Sequence, residues 1–93
     1  MYNHARIEFD PLKSRINREK HGINFGDVEG VFIDPMALTT EDREHVEQRW
    51  ITLGMDALGR ILVVVYTWRA NVIRIISVRR ASTAERRRYE ERA

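Results

Sequence analysis

The alternation of apolar and polar positions divides the chain into eight elements. Residues 6–9 (RIEF) alternate and predict a short first strand. Asp10-Pro11 then opens a helix, because the carboxylate can accept orphan N–H groups and proline suits the first helical position. Leu12 and Ile16, one turn apart, predict a narrow buried stripe with Ile23 as its contact beyond the helix end. Lys13, Arg15, Arg18, Lys20 and His21 cover the rest, and Gly22 suits a left-handed stop. Asn24 predicts the next N-cap, followed by Phe25, Val28, Val31 and Phe32 at the spacing of a buried helix face. Asp34-Pro35 ends that helix, since the residue before proline is pushed out of the α region.

Strand patterns follow. Residues 36–40 (MALTT) predict a short strand and residues 41–46 a polar hairpin loop. Residues 47–54 predict a strand with Gln48, Trp50 and Thr52 on one face and Glu47, Arg49, Ile51 and Leu53 on the other. Residues 60–69 are the most apolar strand, hence central. After a tight turn at Asn71, residues 72–81 (VIRIISVRRA) return. This strand starts in a core and ends in Arg79 and Arg80, which as strand neighbours leave on opposite faces. Ser82 and Glu85 match a capping box that opens a final helix towards Ala93. The prediction is one α+β domain over residues 1–93: an antiparallel sheet of four to five strands, two N-terminal helices packed on one face, and a C-terminal helix. The other face is left available.

Composition narrows this picture. Apolar residues at 43% and aromatics at 9% fit a globular chain. The absence of cysteine excludes a disulfide framework and a thiolate zinc site. The opening residues carry no apolar signal region, and the longest apolar run, residues 61–66, is too short to span a bilayer. The expectation is a cytoplasmic protein without membrane contact. Net charge is only +2 but uneven. Residues 69–93 carry eight arginines against three glutamates, and residues 27–47 carry seven acids against Arg43 alone. A basic end and an acidic middle point to a polyanion site on one side.

Three groupings carry candidate chemistry. Arg69, Arg74, Arg79 and Arg80, joined by Arg49 from the third strand from the end, offer planar forks that match phosphate. Tyr66 and Trp68 lie between them in the pattern, where aromatics stack unpaired bases; the alternative makes the aromatics core and the arginines rim ion pairs. Lys20-His21 sits at a helix end, either as a dipole partner or as a proton-transfer group. Glu47 and Arg49 share a face, either as a surface ion pair or as a catalytic carboxylate beside a phosphate clamp. No HExxH spacing, Gly-rich phosphate loop or Gly-x-Ser-x-Gly elbow appears, so neither metal nor cofactor is expected; His4 and His45 have no assigned role.

Taken together, Phe9-Asp10, Lys20-His21-Gly22, Phe25, Glu47 and Arg49 ahead of Leu53-Gly54, residues 61–64 (ILVV), residues 74–81 (RIISVRRA), and Glu85-Arg86 with Tyr89 resemble the BrnT family of bacterial toxins. The resemblance runs from about Ile7 to Glu91, with Val78 where most members carry alanine. It implies a RelE-like fold and the toxin half of a type II toxin–antitoxin pair. Such a toxin is a metal-independent endoribonuclease that cleaves RNA and inhibits translation. A cognate antitoxin neutralises it, and the complex binds operator DNA. Under this resemblance Arg79, Arg80 and Arg49 form the charge clamp with Lys20 nearby. Glu47 or His21 is the base, or His21 the acid, and Arg69, Arg74, Tyr66 and Trp68 contact RNA. The competing readings are a non-catalytic nucleic-acid- or partner-binding module and a structural domain with ordinary rim charges.

Overall fold

The structure is a computed structural model that describes residues 6–92; His4 and Ala93 lie outside the described residues. Its centre is a five-stranded sheet in the order β1-β5-β4-β3-β2. The strands are β1 (Arg6–Glu8), β2 (Leu38–Asp42), β3 (Arg49–Met55), β4 (Ile61–Arg69) and β5 (Val72–Arg80). The helices are α1 (Pro11–His21), a 3₁₀ turn (Phe25–Val28) running into α2 (Glu29–Ile33), and α3 (Thr83–Arg92). The expected all-antiparallel sheet is corrected: β1 pairs with β5 in parallel, while β2 to β5 form an antiparallel meander. Short turns force antiparallel neighbours, but β1 meets β5 only after the whole chain has intervened, so nothing fixes that hand. β4 is central, as its apolar run requires.

Helices cover both faces, which corrects the second expectation. Ile23, Phe25, Val28 and Val31 pack with Leu62, Val64, Tyr66, Ile73, Ile75 and Val78 on one face. On the opposite face α3 lowers Tyr89 onto Leu53, Ile61 and Val63. The Tyr89 hydroxyl donates to Asp34 Oδ2 at 2.6 Å, and burial together with this carboxylate pushes the phenol up to about 12. The second face is therefore covered where α3 lies and open towards the other ends of β3, β4 and β5.

In α1 the predicted apolar stripe faces solvent: Leu12 is 54% exposed and Ile16 52%. The buried side chains are Ser14 and Asn17. Ser14 Oγ accepts from Phe25 N at 3.0 Å. Asn17 donates from Nδ2 to the carbonyls of Ile23 and Val78, each at 2.9 Å, and accepts from Val78 N at 3.2 Å. The cause lies in β5. Its ladder with β1 stops at Arg74, so the backbone beyond it needs other partners. One amide side chain stands in for the missing strand. The ends of α1 follow the reading: Asp10 Oδ1 accepts from Leu12 N at 2.9 Å, and Gly22 adopts φ 75° with its N–H on Arg18 O. Asn24, in contrast, makes no side-chain cap, and the predicted second helix begins as the 3₁₀ turn.

Two further details set the site. β2 starts at Leu38 rather than residue 36, so Glu41 and Asp42 belong to the strand and not to the loop. In β5, Ser77 pairs with Val65 and Ile75 with Tyr66, which leaves Ile76 as a bulge. The bulge resets the alternation. Arg74, Ser77 and Arg79 lie on the α3 face, and Val78 and Arg80 on the α1 face, opposite Val64 and Leu62.

Candidate nucleic-acid interface

The open part of the α3 face holds a cavity of about 130 Å³. Arg49, Thr67, Arg69 and Arg74 line it from three adjacent strands, Glu47 joins them from the loop before β3, and Asp10, Lys13, Ile75 and Ile76 close its edge. The register dictates this grouping. Arg49 opens β3, Arg69 ends β4, and Arg74 faces the same side from β5 opposite Thr67. Thr67 Oγ1 donates to Gln48 O at 3.0 Å and ties the segment carrying Glu47 and Arg49 to the central strand. The first turn of α1 reaches the same edge because β1 runs alongside β5 as far as Arg74.

Cations in this cleft outnumber carboxylates, with Lys13, Arg49, Arg69 and Arg74 against Asp10 and Glu47. Among the described residues, Lys13, Arg49, Arg69 and Arg74 take part in no ion pair, and neither does Glu47. Asp10 is occupied as the α1 cap. Arg49 is partly buried, and its Nε is shielded from solvent without a hydrogen-bond partner. A buried charged donor left unpaired is costly, of the order of 1–3 kcal/mol or more, so the arrangement is poised for an anion to complete it. Guanidinium forks suit a phosphate, which accepts two parallel N–H bonds from each.

The remaining predicted residues lie elsewhere. Arg79 shares the cleft's face, but its fork is held by Glu85 at 2.7 and 2.9 Å. Glu85 also accepts from Ser82 N at 2.8 Å, and Ser82 Oγ accepts from Glu85 N at 3.2 Å, the reciprocal capping box read from the sequence. The Arg79 guanidinium pulls the Glu85 carboxyl down to about 2. Arg80 is exposed on the opposite face, and Lys20 and His21 end α1 on that same side of the sheet, away from the cleft. Tyr66 is core: its ring meets Phe32 edge-on at 4.9 Å and Trp68 at 6.5 Å, and its hydroxyl lies 2.8 Å from Thr52 Oγ1. Trp68 is 38% exposed but faces the α1 side, not the arginines. Lys13 and Asp10 carried no functional signal in the sequence. Only the parallel β1–β5 pair brings them to the cleft.

Fold and site together define a small α+β protein with an unneutralised arginine cleft suited to a phosphodiester. Residues 9–85 match the family model described as the ribonuclease toxin, BrnT, of type II toxin–antitoxin systems. The chain belongs to that family: it is a toxin whose partner is an antitoxin protein and whose target is RNA. The crystal structure of the Brucella abortus ribonuclease toxin BrnT, at 1.1 Å, is similar in fold, with a TM-score of 0.65 at 23% identity over 85% of this chain and 99% of that one. No curated protein matches the chain in sequence. Among the described residues no helix is long and apolar enough to cross a membrane, and no three acidic or histidine side chains gather as a metal site.

Proposed function

We propose that this toxin is a metal-independent endoribonuclease that acts in the cytoplasm, cleaves RNA in the cleft of Arg49, Arg69, Arg74, Lys13 and Glu47, and thereby inhibits translation. The observation that carries the proposal is the unpartnered Arg49 Nε beside three further unpaired cations and a free carboxylate. Glu47 takes the 2′-hydroxyl proton, and the 2′ oxygen forms a bond to the adjacent phosphorus. Arg49 and Arg74 stabilise the added negative charge of the phosphorane. The bond from phosphorus to the 5′ oxygen breaks, and Lys13, the ammonium at the cleft's edge, protonates that leaving oxygen. The products are a 2′,3′-cyclic phosphate and a 5′-hydroxyl. Glu47 is preferred to His21 as the base because it lines the same cavity as the clamp, whereas His21 ends α1 away from it. Arg79 has a structural role: it holds Glu85 and with it the start of α3, at the other end of β5 from the cleft. Lys20, His21 and Arg80 are assigned no step. The antitoxin blocks this chemistry, and the toxin–antitoxin complex represses its operon by binding operator DNA.

The test is single-stranded RNA incubated with purified protein and excess chelator. Cleavage should persist and leave cyclic phosphate ends, and a 2′-deoxy substitution at the scissile nucleotide should block it. Intact RNA under these conditions overturns the proposal. Salt-dependent binding without cleavage would instead favour the binding-module reading. Glu47→Gln and Arg49→Ala should each lower the rate by about 10²–10³-fold with an unchanged thermal melt.

A further inference from the structure

The face opposite the arginine cleft carries a second concavity of about 900 Å³. Trp50, Tyr66, Trp68 and Phe32 line it, with Ile33 of α2 at its rim, 59% exposed. Its floor contains a chain of hydroxyls: Thr39 to Thr52 at 2.9 Å and Thr52 to Tyr66 at 2.8 Å. A groove of this size with a few convergent polar atoms is a ligand-sized site. It runs up to β2 at Thr39, and β2 is the sheet's edge. Among the described residues, the outer backbone groups of β2 have no ladder partner, so they can accept another strand.

We propose that this edge and groove are where the antitoxin docks, by adding a strand to β2 and placing apolar side chains of that strand in the aromatic groove. The inference rests on family membership for the existence of the partner, and on the structure for its seat. Charge complementarity identifies the segment's chemistry. The strand end and the loop after it carry Glu41, Asp42 and Glu44; Glu41 pairs with Arg43 at 3.4 Å and Asp42 lies 3.0 Å from His45, and three acids against one arginine leave this edge net negative. Such acids repel another copy of an acidic edge but attract a basic, β-forming segment. The main chain would supply affinity and the groove specificity for alternate side chains. This seat leaves the arginine cleft uncovered. The occupant instead adjoins residues 43–48, the loop that leads into Arg49 and carries Glu47.

The chain's two tryptophans, Trp50 and Trp68, both line this groove, so their emission reports on it alone. The toxin is titrated with the antitoxin from the adjoining reading frame, with binding followed independently by calorimetry. Tryptophan emission should shift to the blue and acrylamide quenching should fall several-fold, saturating with binding. Backbone amides of residues 38–42 should gain hydrogen-exchange protection. Ile33→Glu should weaken antitoxin affinity at least tenfold while leaving RNA cleavage unchanged. Calorimetric binding with unchanged quenching, or without protection at residues 38–42, overturns the proposal. So does a shift produced by raising the toxin concentration alone, which would make a second copy the occupant. Apart from the cleavage control on Ile33→Glu, none of these readouts depends on RNA cleavage, so failure of the nuclease proposal and failure of this one are distinguishable.

Discussion

Asn17 shows how far one side chain can govern this fold. It satisfies both backbone groups of Val78 and the carbonyl of Ile23 from a buried position. Asn17→Leu keeps the branched outline but strands all three groups. It should destabilise the protein by about 3 kcal/mol, measured by urea unfolding. Leu12 and Ile16 give the reverse case. Apolar residues one turn apart normally mark the buried stripe, yet here they point outward, and Leu12→Ser with Ile16→Ser should change stability by less than about 0.5 kcal/mol. Nothing in the hydrophobic pattern distinguishes the two outcomes. The deciding fact, a strand left without a neighbour, lies some sixty residues away. Glu85 makes a further residue-scale prediction. Its folded carboxyl is pulled down to about 2 from the ordinary 4.5, so its contribution to stability is present above pH 4.5 and lost as pH falls towards 2. The Arg79 side chain is 46% exposed, so solvent screening holds that contribution to about 1 kcal/mol. The stability gap between wild type and Glu85→Gln should therefore close between pH 5 and pH 2 in chemical denaturation.

At the scale of elements, local chemistry and the antiparallel hairpins of β3, β4 and β5 were legible, and the pairing of β1 was not. The Asp10 cap, the Gly22 stop, the Ser82–Glu85 capping box and the central place of β4 all follow from residues close in sequence. The parallel partnership of β1 with β5 is non-local, and no turn residue announces it. The bulge at Ile76 was equally hidden, because the run from Val72 to Val78 alternates poorly with or without an extra residue. That bulge decides which arginines share a face. A strict alternation would put Arg74 and Arg80 together; the observed one puts Arg74 with Arg79. The aromatics lie apart from the arginines for a related reason. Trp50, Tyr66 and Trp68 alternate with Arg49, Thr67 and Arg69 along their strands, so adjacency in sequence means opposite faces in the sheet.

For the molecule as a whole, the sheet separates two surfaces of different character. One carries an arginine cleft and the capped α3; the other carries the aromatic groove and leads to an acidic edge. Polyanion binding should therefore load the first surface alone. Arg69→Ala should weaken RNA binding similarly across sequences and reduce the slope of log affinity against log salt by about 0.7, since one phosphate contact is lost. The β1–β5 pair also has a temporal consequence. β1 leaves the ribosome first, yet the strand it needs is made last, 66 residues later, from Glu8 to Arg74. At ordinary elongation rates of about 5–20 residues per second, that gap lasts on the order of 3–13 s. Lys13 cannot face Arg74 until the end of that interval. A chain directed against RNA thus emerges without its arginine cleft, and it completes that cleft only once β5 has been made.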